Sequence, residues 1–306
     1  MLISIDNFYI YCYNNNGVYM KDYMIIKNQK KLYFFYKFYK KIPIYEMYRI
    51  TYKRKKLFKK FPFKNIILYN NWIFQVRNKK NIIIFETKYS KDISKIIKEI
   101  NPKSRIILYY WNTINDKARE SYLEDKNIDE FYTFDKIDAK KYNIMYNPQF
   151  YSKTIELPKC KNIKYDVFFV GRDKGRKKEL LKLEKKLNKL GISTKIMIIE
   201  NEKDFISYKK YLSILSESKV ILDFVNSNQS GLSLRCMESI FFSKKLITNN
   251  PYIKENDFYN KDNIFILDIK KNLNKIKEFI NTPYKSIEKE TIDYYDYSSW
   301  IERFNK

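Results

Sequence analysis

No histidine occurs anywhere in the 306 residues. That absence removes Ser-His-Asp and Cys-His catalysis, imidazole metal sites and histidine general bases together. Any chemistry must run on carboxylates, Lys and Arg, Tyr, hydroxyls or backbone dipoles. Cysteine is nearly as scarce: Cys12, Cys160 and Cys236 are far apart, odd in number and without C-x-x-C spacing. They read as reduced packing residues, not as a disulfide framework or a zinc site. No run approaches 18 consecutive apolar residues, and the start, MLISIDNFYIYCYNNN, lacks a basic leader followed by an apolar stretch and a small-residue cleavage site. The expectation is a cytoplasmic protein without a membrane span.

Acids are also in the minority, 35 against 61 Lys and Arg, for a formal charge of +26. Such a field attracts phosphate, in nucleic acid, nucleotides or anionic lipid head groups. Coding bias toward Lys, Asn, Ile and Tyr accounts for part of the total but not for clustering. Residues 27–64 carry fourteen Lys and Arg against one acid, Glu46, with twelve aromatics interleaved. This suits an anionic membrane surface, or a solvated basic face over ordinary core. Nucleic acid is the less favoured partner, because no RNP-like, zinc-finger or helix-turn-helix signature accompanies the cluster. A peripheral position on the inner face of the cytoplasmic membrane is therefore expected.

A hydrophobic fraction of 44% and the length suffice for two folded domains. KNIILYN (64–70), NIIIFET (81–87) and RIILYYWN (105–112) read as strands. Ile93, Ile96, Ile97 and Ile100 have helical spacing, and Pro102 stops that helix, giving a β-α-β unit and a parallel sheet. EFYTF (130–134) and YNIMYN (142–147) are shorter candidate strands. The second half repeats the alternation: strands KYDVFFVG (164–171), TKIMIIE (194–200), KVILDFV (219–225), KLITNN (245–250) and NIFILD (263–268), with helices at 175–191, 207–218 and 232–243. The architecture implied is α/β, two Rossmann-like doubly wound domains facing a cleft. The boundaries read as an N-terminal domain over 1–150, a linker over 151–163, a C-terminal domain over 164–284 and a terminal helix over 285–306 that crosses back. Ligands of such sheets bind beyond the carboxyl ends of the strands.

Two stretches meet that requirement. QSGLSLRCMES (229–239) follows a strand and opens a helix, so its first N–H groups and the helix dipole favour an anion, with Gly231 allowing close backbone approach. Glu238 lies two turns in, too far along to cap. VGRDKGR, at the end of another strand, places Arg172, Lys174 and Arg176 around a turn that Gly171 and Gly175 permit. Two phosphate contacts in one sheet suggest a diphosphate.

FFVGRDKGR followed about sixty residues later by QSGLSLRCMESIFFSKKLITNN resembles the GT-B glycosyltransferases, most closely those assembling bacterial lipopolysaccharide core and capsule. The resemblance covers residues 164–268, with a whole-segment similarity to lipopolysaccharide biosynthesis proteins over residues 111–151. It implies a nucleotide-sugar donor whose diphosphate is held by Arg172 and Lys174, with Gly171, Arg176, Ser230, Gly231, Leu232 and Ser233 around it, and whose ribose is held by Glu238. The first Glu of the E-x7-E element of retaining members falls at Ser230, so retention or inversion stays open. A lipid-linked or lipopolysaccharide acceptor is implied.

With no histidine ligand and no Asp-x-Asp motif, neither a metal nor a resident cofactor is expected. Fixed cations and the helix start would stabilise the leaving diphosphate. If the reaction inverts, the base is a carboxylate, and Glu86 and Asp135, near strand ends of the first domain, are the candidates. A nucleotide-sugar epimerase or hydrolase of the same fold, or a basic nucleic-acid-binding protein, are the alternatives.

Overall fold

The computed structural model describes residues 21–27, 42–47, 60, 63–69, 72–87, 89–225 and 230–305. The chain divides into two units, Met1–Tyr110 with Ile114–Tyr132, and Trp111–Thr113 with Thr133–Lys306. In chain order the first contains β1 (Tyr23–Lys27), β2 (Ile44–Glu46), α1 (Lys64–Tyr69), β3 (Asn81–Phe85), α2 (Lys91–Ile100), β4 (Arg105–Tyr110), α3 (Lys117–Glu120) and β5 (Glu130–Thr133), whose last residue opens the second unit. The sheet of the first unit runs β2-β1-β3-β4-β5, and α4 (Lys136–Tyr142) and β6 (Met145–Tyr146) come next in the chain. Strands β2, β1, β3 and β4 pair in parallel. The middle strands are almost wholly buried, Ile82, Ile83 and Ile84 in β3 and Ile106, Ile107 and Leu108 in β4 all at 0% exposure, as a parallel sheet covered on both faces demands. Helix α2 buries Ile93, Ile96 and Ile97 and ends at Ile100, with Asn101 as its C-cap just before Pro102.

The stretch 64–70, expected as a strand, is helical. Its buried positions, Leu68, Tyr69, Trp72, Ile73 and Val76, recur at helical intervals into the following turns, which reading the short apolar run as a strand missed. Two strands went unforeseen, β1 and β2. Most of the basic aromatic segment 27–64, and Cys12, lie outside the described residues. Of the part described, Ile42, Ile44 and Met47 are core residues at 0% exposure, and 44–46 is paired in the sheet. Residues 133–150, placed by the sequence reading in the first domain, group by their contacts with the second unit.

The second unit continues with β7 (Tyr165–Arg172), α5 (Lys177–Lys189), β8 (Thr194–Ile199), α6 (Tyr208–Ser216), β9 (Ser218–Asp223), α7 (Leu234–Phe241), β10 (Lys245–Thr248), β11 (Ile264–Ile266), α8 (Ile276–Asn281), α9 (Lys289–Tyr294) and α10 (Tyr297–Glu302). Its parallel sheet runs β11-β10-β9-β7-β8. Helix α5 buries Leu180, Leu183 and Leu187 against Val167, Phe169, Val220 and Leu222. Trp300 of α10 lies on Phe150 with ring centroids 4.1 Å apart, and its carbonyl accepts from Asn147 Nδ2 at 3.1 Å. The terminal segment is thereby held on residues 147–151 of its own unit.

The strand order matters for function. The chain passes from β7 to β8 on one side, then returns to place β9 on the other, so the order reverses between β7 and β9. Helices after these two strands lie on opposite faces and leave a crevice at the carboxyl ends, where α/β sheets take ligands. Among the described residues no helix is long and apolar enough to cross a membrane.

Candidate functional site: the strand ends of the second unit

At the carboxyl end of β7 the backbone turns through Lys174 and Gly175, at φ 47° and 83°, left-handed conformations that favour glycine at the second position. The three expected cations separate here. Arg172 is exposed and stacks over the exposed ring of Phe205 at 4.9 Å. Lys174 is exposed at the turn. Arg176 folds back instead: Nε and Nη2 donate to the Arg172 carbonyl at 3.2 and 3.0 Å, and Nη1 donates to the Phe224 carbonyl just past β9. It thus ties together the two strands between which the order reverses.

Arg176 does not sit alone. Its guanidinium lies 5.2 Å from the ring of Phe169, and that of Arg235, in the first turn of α7, lies 4.9 Å from the same ring. Both Nη2 atoms stand 2.9 Å from the point a Cβ on Gly171 would occupy, so a side chain there would collide with both. Glycine at 171 is the condition for the two arginines to converge. Burial, then the charge of Arg235, pulls the Arg176 guanidinium down to about 10. Asp223, fully buried at the end of β9, is the carboxylate beside Arg235, 3.6 Å from Nη1. Its oxygens already accept from Ser233 Oγ at 2.8 Å and Thr248 Oγ1 at 3.2 Å, with the Cys236 thiol at 3.5 Å. Arg235 was not among the residues singled out from the sequence. Its place in the first turn of a helix at a strand end was the available signal.

The loop before α7 holds an anion, but one supplied by the chain. Asp135 Oδ2 accepts from Ser230 N at 2.9 Å and Gly231 N at 2.7 Å, while Oδ1 accepts from Ser230 Oγ at 2.7 Å. The same Oδ1 caps α4 through Ile137 N and Asp138 N, at 2.9 and 3.1 Å. Asp135, expected as a candidate base, is 1% exposed here with five donors on it. The N–H groups of Ser230 and Gly231, expected to hold a diphosphate, are engaged here by that carboxylate. Gly231 is glycine for a different reason from the one expected, since a Cβ there would fall 2.6 Å from the Phe134 ring and 3.0 Å from its carbonyl. Leu232 is buried and Ser233 precedes the helix as its N-cap residue.

Glu238 lies in α7 at 1% exposure, enclosed by phenols. Tyr208 donates to Oε1 at 2.6 Å, Tyr211 donates to Oε2, and the Tyr151 hydroxyl hydrogen-bonds to that of Tyr208 at 2.5 Å. Burial pushes the carboxyl up to about 7, against the pull of the two phenols and Arg235. Both of its oxygens, expected to hold a ribose, are engaged here by protein. Lys136, Lys140, Tyr252 and the 230–232 loop border a cavity of about 710 Å³ in this unit.

In the first unit Glu86 follows β3 at 0% exposure, with Arg119 Nε 3.4 Å from Oε1 and Thr87 Oγ1 at the same distance. Among the described residues no group of three or more Cys, Asp or Glu is placed to hold a metal ion.

No protein-family model matches the chain, and no curated protein matches it. Solved structures similar to it include the apo form of the lipopolysaccharide outer core galactosyltransferase WaaB, at 14% identity and a TM-score of 0.46, covering 87% of this chain and 84% of that one. NAD+-bound 3-phosphoglycerate dehydrogenase from Entamoeba histolytica matches at 13% identity and a TM-score of 0.23, covering 92% and 96%. At these scores neither assigns an activity to the chain.

Proposed function

We propose that the chain is a glycosyltransferase that moves a sugar from a nucleotide-sugar donor to a membrane-associated glycan acceptor of the lipopolysaccharide-core or capsule kind. The observation that carries this reading is the convergence of the basic 171–176 turn and the start of α7 on the crevice where the strand order of the second sheet reverses. The motif resemblance of 164–268 to GT-B enzymes points the same way.

Breaking a sugar–phosphate bond places negative charge on the leaving diphosphate. Arg172 and Lys174, exposed at the turn, and the N-terminus of α7, entered through Leu232 and the N-cap Ser233, supply positive charge there, and the proposal gives this task to them rather than to a metal. Ribose recognition by Glu238 belongs to the reading only with Tyr208 turned away from Oε1. Of the two carboxylates considered as a base, Glu86 is the one retained.

The test is nucleoside diphosphate release from UDP-, GDP- and ADP-sugars, with and without a glycolipid acceptor. Acceptor-dependent release is expected, and Arg172→Ala should weaken diphosphate binding. Release that ignores the acceptor would make the protein a hydrolase or epimerase, and neither release nor thermal stabilisation by any nucleoside diphosphate would end the reading.

A further inference from the structure

Holding two guanidiniums against one ring is unfavourable without a compensating anion. Arg176 and Arg235 are held this way on Phe169 at the reversal of strand order. Asp173 and Glu238 act on the pair from a distance, and Asp223, the carboxylate within ion-pair reach among the described residues, stands 3.6 Å from Arg235, outside hydrogen-bond range, with its oxygens engaged by Ser233 and Thr248. The Arg235 side chain is only 15% exposed, and its Nε is buried with no hydrogen-bond partner among the described residues. A buried, unpaired donor on a charged group costs several times an ordinary hydrogen bond, so its position needs an explanation other than packing. Arg176 retains one N–H on each Nη after its bonds to the Arg172 and Phe224 carbonyls. The Nη2 atoms of the two residues meet over Gly171, where the absence of a Cβ leaves the approach open.

We infer that Arg235, paired with Arg176 over Phe169, is the principal phosphoryl-binding residue of the second unit and takes one phosphate of a diphosphate through its guanidinium fork. This deepens the proposed function and rests on it for the nucleotide, but the anion site itself does not depend on a sugar being transferred. It differs from the motif assignment, which centres on Arg172 and Lys174 and on N–H groups at Ser230 and Gly231 that Asp135 already engages. Planar, bidentate contact to phosphate is what guanidinium provides and an ammonium does not.

Calorimetric titration of the full chain with inorganic pyrophosphate tests this. Arg235→Gln should weaken binding at least tenfold, while Lys270→Gln, on an exposed turn, should leave it unchanged. Should the glutamine variant fail to fold, Arg235→Lys keeps the charge beside Asp223 and the apolar stem along Phe169. It should weaken binding about fivefold, since one ammonium replaces a fork. Wild-type affinity in folded Arg235→Lys or Arg235→Gln protein would overturn the assignment. UDP and GDP should bind more tightly than pyrophosphate. Capture by phosphatidic-acid vesicles with no nucleotide binding would instead make a lipid head group the source of the phosphate and overturn the nucleotide. Loss of pyrophosphate binding in Arg235→Gln without sugar transfer by the wild type upholds the site and ends the glycosyltransferase reading. Wild-type transfer by Arg235→Gln does the reverse.

Discussion

Replacing Glu238 by glutamine should remove a specific slice of the protein's pH dependence. The carboxyl is 1% exposed, accepts from Tyr208 and Tyr211, and is pushed up from 4.5 to about 7 chiefly by burial. A group whose folded pKa lies above its unfolded one is protonated more readily in the folded chain. Its contribution to stability is therefore complete below pH 4.5 and is lost as pH rises through about 7. At roughly 1.4 kcal/mol per pH unit, the gap corresponds to about 3 kcal/mol. Glutamine is nearly isosteric and stays neutral, so it lacks this contribution at every pH. Urea unfolding followed by circular dichroism at pH 4.5, 6 and 8 should show the wild type losing about 3 kcal/mol relative to Glu238→Gln across that window. Taking the difference cancels the other titrating groups and the repulsion among 61 cations. Parallel stability curves would refute the reasoning, because they would mean the carboxyl is hydrated rather than sealed by the two phenols.

Asp135→Ala leaves four backbone N–H groups without their acceptor and should cost about 3–5 kcal/mol, read as a lowered unfolding midpoint, with Asp135→Asn intermediate. Gly231→Ala forces a methyl into the Phe134 ring and should cost about 1–3 kcal/mol; in a Phe134→Ala background the same change should cost less than half as much. Trp300→Ala, which removes the ring lying on Phe150, should cost about 3–5 kcal/mol. The full chain should pellet with anionic liposomes at low salt and release at high salt, and neutralising Lys53, Arg54, Lys55 and Lys56 should weaken pelleting; unchanged pelleting would remove the membrane from the proposal.

The parts of the fold that could be read from the residues are those where pattern and packing coincide. Strands β7 to β11 and helices α5 to α7 follow from apolar runs alternating with 3.6-residue periodicity, and Leu180, Leu183 and Leu187 occupy the core that their spacing implies. In the first unit the same logic found α2, β3 and β4. It misassigned 64–69, where six residues with four apolar side chains fit either period and only Trp72, Ile73 and Val76 beyond them decide for helix. It passed over β1, whose five buried residues carry no alternation because both faces are covered.

The site was legible in a narrower sense, and the loop before α7 shows why. A glycine and small polar residues at a strand end, leading into a helix, do mark backbone donors that seek an anion, and the N–H groups of Ser230 and Gly231 have found one. Local sequence identifies the donor but not the acceptor, which here is Asp135, 95 and 96 residues earlier in the chain. The same distance effect hid the reason for Gly231, which makes room for Phe134, far earlier in the chain, whereas Gly171 makes room for Arg176 of its own motif and Arg235 of the other. Arg235 is the converse case. Its place in the first turn of a helix at a strand end is its one sequence signal, and only the reversal of strand order between β7 and β9 brings it to Arg176. With Asp135 engaging the loop, the guanidinium pair is a positive feature at that crevice that the backbone there does not duplicate. The diphosphate read from the two motifs is therefore better matched to side chains than to the backbone that first suggested it.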